Sequence, residues 1–354
     1  MESFSKPHSI KREVKQLVSN PSEDVQVVLF DQFKAEAKKV GNEVYIPASL
    51  VQKIFNLESF WIQDKYEMKY SKVKVSEIDK YDYKGNYLHY DKIRVENWSV
   101  QFTEEGIPQT IYPHGKYYNP STIAQYGLQH YSLYLKNEDQ ASKSKFIKTA
   151  EWFVEHQDSK GGWAYQFDHD YYPKRVTKLQ APWYSAIGQG MVMSVLSRAY
   201  YLTKNKKYKN SALKAKKVMK TPYNQNGVLA KFENKFLFYE EAPTHPPSYI
   251  LNGFMFALIG LYDLYETFGD KEGKWLYGEG IKTLKRMLPL YDLGNRTAYD
   301  LTHYTTNGGY PNVATWGYHI GHIHLLAAIN SLEKDPNMGE ALLRWKGYLK
   351  GQAK

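Results

Sequence analysis

Two loops carry the residues best suited to proton chemistry. The first, Phe236 to Pro247 (FLFYEEAPTHPP), sets the adjacent carboxylates Glu240 and Glu241 beside Tyr239 and among three prolines. Prolines restrict the backbone and hold a loop in one shape. A carboxylate fixed beside aromatic rings loses hydration, so its proton affinity rises and it becomes a better base. The same spelling also fits a solvated acidic turn, and the residues alone leave both readings open. The second loop, Tyr299 to Tyr318 (YDLTHYTTNGGYPNVATWGY), holds four tyrosines, His303, Trp316 and the pair Gly308-Gly309. His319, His322 and His324 follow at once. They invite a metal reading, but His319 and His322 share a helix face only approximately and no carboxylate lies among them, so hydrogen bonding or packing is favoured and no metal is assigned. There is no phosphate-cradling glycine loop, nucleophile elbow or zinc-protease helix, which removes most common enzyme classes.

The elements that must position these loops fall into two regions. From about residue 20 to 118 the pattern is short and alternating (Val25 to Phe30, Val44 to Ile46, Leu88 to Tyr90, Ile93 to Phe102), which predicts strands and hairpins. Helical periodicity follows to the end of the chain. The boundary is placed near Lys116, giving a hairpin-rich region at 1–118 and a helical region at 119–354. The helical region repeats itself. Ile123 to Leu135, Tyr184 to Leu202, Tyr249 to Tyr265 and Tyr318 to Leu332 are apolar helices with a glycine near the start, and Gly127, Gly190 and Gly253 recur 63 residues apart. Between them lie one-sided helices, Phe146 to Gln157, Tyr208 to Met219 and Trp275 to Leu288. Apolar helices belong inside and one-sided helices outside. The expected fold is therefore α+β but mainly α: an incomplete α/α toroid of roughly seven helices behind a small β-hairpin-rich N-terminal domain. Turns recur after the outer helices, at Gly161-Gly162, Asn226-Gly227 and Gly294-Asn295. The loops that follow, Trp163 to Trp183, Phe232 to Tyr249 and Tyr299 to Tyr318, are expected to converge on one cleft.

Composition bounds the partner. The formal charge of +10 suits an acidic one, and 32 tyrosines supply flat apolar faces with hydroxyl handles, the chemistry that sugar rings need. Aromatic faces also stack nucleic-acid bases. The basic run Lys204 to Lys220 fits the solvated face of an outer helix or a track for a polyanion, whereas Lys174, Arg175 and Lys178 lie on a cleft loop and suit sulfate or carboxylate. There is no cysteine, hence no disulfide framework. Met1 to Asn20 lacks the apolar run of a secretory signal, and no apolar stretch reaches about 18 residues, so the expected location is the cytoplasm, away from membranes.

Longer segments resemble a known family. Glu240 to Tyr262 (EEAPTHPPSYILNGFMFALIGLY), Met287 to Asp292 (MLPLYD), Tyr299 to His303 (YDLTH) and Trp345 to Gly351 (WKGYLKG) resemble the C-terminal domain of heparosan glucuronyl C5-epimerases. Ile123 to Ser132 (IAQYGLQHYS), Gln157 to Trp163 (QDSKGGW) and Trp183 to Gly190 (WYSAIGQG) do so upstream. The animal enzymes carry a β-rich domain between the IAQYGL segment and the helices, so this chain resembles a shortened, microbial form. The resemblance implies exchange of the C5 proton of a uronic acid without nucleotide or metal cofactor. By matching motifs it implies Glu241 as carboxylate base, Tyr318 as opposing acid/base and Tyr299 as a supporting tyrosine. It further implies a homodimer acting on an anionic polysaccharide, heparosan or its N-sulfated form, rather than on nucleic acid. Around the catalytic group, Tyr239, Tyr117, Tyr118, Trp183, Tyr184, Asn252, His303, Trp316, Lys174 and Arg175 are the expected sugar contacts.

Two positions depart from the family. Ala242 stands where a tyrosine usually follows the glutamate, and Thr302 where arginine is common. Tyr239 or Tyr249 could supply the missing hydroxyl, and Arg296, His303 or a lysine the missing cation. The rival readings are a polysaccharide lyase, which takes the same proton and then expels the C4 substituent, and a glycosaminoglycan-binding protein without activity. A glycoside hydrolase would need two separated carboxylates, and only one acidic loop stands out.

Overall fold

The computed structural model describes residues 23–29, 33–55, 57–62, 65–70, 75, 78–306 and 308–352. Met1 to Asn20 and Phe30, at the end of the first expected strand, lie outside the described residues. The chain is mixed α/β with helix predominating.

Antiparallel hairpins come first: β1 (Glu23–Leu29), β2 (Phe33–Val40) and β3 (Glu43–Tyr45) form one sheet, and β4 (Leu57–Ile62) pairs with β5 (Lys65–Tyr70) after the short helix α1 (Ala48–Phe55). A third sheet holds β6 (Val100–Phe102), β7 (Pro108–Tyr112) and β8 (Gly115–Tyr117). Leu88 to Tyr90, expected as strand, is a 3₁₀ turn over Tyr87–Lys92, with Leu88 and His89 at φ 48° and 58°. The fully buried Tyr87 packs edge-on against Tyr90 and Tyr81 there, so aromatic packing overrides the local β pattern.

Helices follow in pairs: α2 (Pro120–Asn137) with α3 (Gln140–Glu155), α4 (Ala186–Thr203) with α5 (Lys206–Lys220), α6 (Leu251–Phe268) with α7 (Lys271–Met287), and, after the single turn α8 (Thr302–Thr305), α9 (Trp316–Glu333) with α10 (Pro336–Tyr348). The hairpin β9 (Leu229–Phe232) and β10 (Phe236–Tyr239) lies between α5 and α6. The first member of each pair packs in a row, α2 on α4, α4 on α6 and α6 on α9. Among the described residues the last pair adds an outer helix, α10, to the seven expected from periodicity.

The apolar stripe dictates which helices are inside. Thirteen residues of α4 are buried, including Gly188 to Ala199 without a break, whereas α5 buries only one side. At the α4–α6 crossing a Cβ on Gly260 would stand 2.1 Å from the carbonyl oxygen of Gly190, so backbone meets backbone and only glycine fits. Three lysines of α5 form ion pairs, the partly exposed Lys207 with Glu151, the exposed Lys220 with Glu272, and the buried Lys216 with Asp270 and Glu272. Toward the C-terminal ends of α4 and α6, Arg198 and Asp263 form a fully buried pair at 2.5 Å, with the Tyr81 hydroxyl donating to Asp263. That pair ties the segment before β6 to the helical core. None of the described helices is long and apolar enough to cross a membrane.

Candidate active site

At the other end of the helices, three loops meet. Gly161, Asn226 and Gly294 all take positive φ in the repeated turns that launch them. The loop after Trp163 folds back on itself through bridges Tyr165 to Trp183 and His169 to Leu179. It joins the Glu240 loop where Thr177 N–H donates to His245 O (2.9 Å) and His245 N–H to Thr177 Oγ1 (2.8 Å). The Glu240 loop joins the third loop where Leu251 N–H donates to Tyr299 O (3.1 Å) and Leu301 N–H to Ser248 O (3.0 Å).

Adjacent in sequence, Glu240 and Glu241 have different surroundings. Glu240 is fully buried, held by Ser248 Oγ at 3.0 Å and the Tyr249 N–H at 3.1 Å. Burial outweighs those donors and pushes its carboxyl up to about 8. Glu241 is partly buried at the start of α6. Burial raises it to about 7, against the Tyr299 hydroxyl (3.4 Å), the Gly253 N–H and the Asn252 amide (3.1 Å), which favour the charged form. The positive end of the helix acts in the same sense as those donors. Glu241 is thus poised to take and release a proton near neutrality.

Tyr299 links Glu241 to Tyr318. Its ring meets that of Tyr318 edge to face at 4.6 Å, and Tyr318 is 48% exposed. Burial and the neighbouring Glu241 raise the Tyr299 phenol well above its usual range, so it stays a donor. A second apolar cluster, Tyr165, Phe167, Leu179, Trp183, Ala242 and Ile250, backs the glutamate, with Tyr112, Tyr117, Tyr171 and Tyr299 packed on it. Within it Trp183 stacks on Tyr165 at 4.4 Å.

The structure brings together Glu241, Asn252, Tyr299, Tyr318, Trp183 and Tyr117, and separates others. Tyr239 is fully buried and donates to Leu276 O at 2.7 Å, so it belongs to the core rather than the cleft. Tyr184 is buried with its hydroxyl on Asp158 at 2.7 Å, and Tyr118 packs on Trp152 in the main core. Tyr249 donates to Lys231 O, which leaves neither expected substitute for the hydroxyl missing at Ala242 at the site. Arg296 is buried on the Trp316 ring at 3.9 Å and donates to Ala314 O and Ile54 O, so both Arg296 and Trp316 are occupied in packing. His303 lies on the third loop with Nδ1 buried and without a hydrogen-bond partner among the described residues. Lys174 is exposed, as is Arg175, whose guanidinium lies over the Gly309 backbone and the Tyr172 ring. His319 and His322 both meet Thr297 Oγ1, at 3.0 and 2.8 Å, while His324 meets Leu88 O. Burial depresses His319 and His322 to about 4 and about 3, keeping them neutral.

Sequence reading missed Asp300 and Tyr171, whose side chains join at 2.6 Å, and Tyr165 and Phe167. A signal was present: Trp163, Tyr165, Phe167, His169 and Tyr171 alternate as in a strand with one aromatic face. An open cavity of about 560 Å³ adjoins that face, lined by His114, Tyr117, Phe167, His169 and Lys178 among others; Glu241, Tyr299 and Tyr318 do not line it.

Residues 157–347 match the family model described as the D-glucuronyl C5-epimerase C-terminus. A D-glucuronyl C5-epimerase of Caenorhabditis elegans is 40% identical over 219 residues, 58% of this chain and 35% of that one. An uncharacterized protein of Methanocaldococcus jannaschii is 32% identical over 155 residues, 43% of this chain and 48% of that one. Each match therefore spans half or less of the relative's length. Among solved structures, an unsaturated glucuronyl hydrolase from Bacillus sp. GL1 aligns over 66% of this chain and 64% of its own, at 13% identity and a TM-score of 0.43.

Proposed function

The chain belongs to the D-glucuronyl C5-epimerase family, and from that premise we propose that it inverts C5 of D-glucuronic acid to L-iduronic acid within heparosan or N-sulfated heparosan. The observation that carries this reading is the run Glu241, Tyr299, Tyr318: a carboxylate tuned near neutrality, joined through one phenol to another that faces solvent.

Inversion needs a base on one face of the sugar and an acid on the other. Glu241 takes the C5 proton. The electron pair moves into the adjacent carboxyl group, which must be neutralised as charge builds. Asn252, beside Glu241, can donate a hydrogen bond to that group, and the exposed Arg175, on the loop after Trp163, is the cation proposed to approach it from outside the cluster. Tyr318 then delivers a proton to C5 from the opposite face as the electron pair returns there; it recovers a proton from water, which its exposure permits, and Glu241 gives up the proton it took before the next turnover. Tyr299 holds Glu241 and Tyr318 in register.

The paired rows of helices form, in this reading, an incomplete α/α toroid as the catalytic region, 119–354, and 1–118 is the hairpin region. A homodimer is part of the same proposal; Trp98 and Ile111, exposed at the β6–β7 hairpin, supply apolar contact surface. The test is a digest of heparosan followed by NMR and by ultraviolet absorbance together. Iduronate signals from an intact chain support epimerisation. A rise in absorbance from an unsaturated uronate means lyase chemistry instead, and binding without either signal means a protein that only holds the polymer.

A further inference from the structure

Asp300 follows Tyr299 directly and is fully buried, yet none of the steps above uses it. Its Oδ2 accepts from the Tyr171 hydroxyl and from Asn312 Nδ2, both at 2.6 Å, and its Oδ1 from the Thr302 N–H at 2.9 Å and Thr302 Oγ1 at 2.6 Å. All four partners donate, the pattern that suits an acceptor-only carboxylate. Among the described residues no ion pair reaches it. A carboxylate buried without a cation is costly, and a neutral side chain would fill the space more cheaply. Its geometry explains what it does there. Tyr171 comes from the loop after Trp163, while Asn312 and Thr302 come from the third loop. Asn312 O in turn accepts the Tyr299 N–H at 2.6 Å. Tyr171 also packs beside Tyr299 on the cluster that contains Ala242.

We infer that Asp300 is a positioning residue for the proton transfer: it knots Tyr171 and Asn312 onto the segment bearing Tyr299, and so fixes the hydroxyl that donates to Glu241. The inference deepens the epimerase reading and rests on it. Its negative charge adds to the effect, since together with burial it raises the proton affinity of Glu241 and Glu240. The other titratable groups facing Glu241 are Glu240, Tyr165, Tyr171 and Tyr299, with Tyr318 beyond Tyr299.

Two variants and two readouts test it. Asp300→Asn keeps the Thr302 contacts but turns an amide toward Asn312 and Tyr171; Tyr171→Phe removes one hydroxyl and keeps the ring. In Asp300→Asn, kcat for C5 exchange falls about tenfold or more with a smaller change in KM, as expected when an aligned group is loosened. Its acid limb moves to lower pH by about half a unit or more, as expected when a like charge is removed. Tyr171→Phe lowers kcat several-fold and leaves the fold intact by circular dichroism. Independently of turnover, the Glu241 carboxyl is titrated by carbon NMR in labelled protein and assigned by its loss in Glu241→Gln; the same downward shift is expected in Asp300→Asn. An unmoved Glu241 midpoint in Asp300→Asn, or a Tyr171→Phe variant with wild-type kcat, overturns the inference. If the wild type exchanges no C5 proton, the epimerase reading fails, and the NMR titration still decides whether Asp300 governs Glu241. Should Asp300→Asn not fold, Tyr171→Phe decides alone.

Discussion

Gly253 lies directly against the side chain of Glu241: a Cβ at position 253 would stand 2.3 Å from Oε2 and 2.4 Å from the glutamate Cβ. The Glu241 side chain therefore occupies the space that a side chain at position 253 would fill. Gly253→Ala is expected to displace the carboxylate by about an ångström and lower kcat about a hundredfold. Rates measured beside an unfolding curve check this, because the loss should far exceed any change in stability.

Glu240 gives a pH-dependent signature in stability. Its carboxyl rises from the usual value near 4.5 to about 8 because it is buried. The neutral acid is the form the fold favours, so its contribution is complete below about pH 4.5 and is lost as pH rises through about 8. Over that window wild-type stability should fall by about 1.4 kcal/mol per pH unit from this group. Glu240→Gln mimics the neutral acid at every pH. Its advantage over wild type should grow from about pH 5 to about pH 8 and then level, as read by urea unfolding at a series of pH values.

The Arg198–Asp263 pair sits away from the site and should affect stability alone. Arg198→Met leaves Asp263 buried without its cation, at a cost of about 3–5 kcal/mol. Adding Asp263→Leu should recover most of that loss. Denaturant midpoints of the two single variants and the double variant measure it, with C5 exchange per folded molecule expected to stay near wild type in the double variant.

Tyr318→Phe separates removal of the proton from its return. The variant keeps Glu241 and Tyr299, so glucuronate C5 should still exchange with deuterated water while iduronate formation falls at least a hundredfold, the scale of a lost general acid. NMR resolves the two products. Equal loss of exchange and inversion would instead place Tyr318 in the first step.

The helical layering was legible because burial on one side or all sides writes itself into periodicity; the glycines at a 63-residue spacing marked helix starts where close approach is needed, as at Gly190 and Gly253. Loop convergence was legible for the same reason, since inner helices in register bring their leading loops to one end. Individual aromatic side chains were not. Tyr239 ends a hairpin that is covered on both faces, with Phe238 and Tyr239 both fully buried, so alternation could not tell cleft from core. Tyr184 and Tyr118 were drawn inward by Asp158 and Trp152, partners distant enough in sequence that no local pattern announces them. Asp300 carried no local signal because its four hydrogen bonds come from Thr302, Asn312 and Tyr171, the last 129 residues away.

The most direct measurement is deuterium uptake at C5 of heparosan in deuterated water by the wild type and by Glu241→Gln. The expected result is deuterium at C5 and iduronate signals with the wild type, and neither with Glu241→Gln, which still binds the polymer. Exchange by Glu241→Gln at the wild-type rate would contradict the assignment of Glu241 as the base.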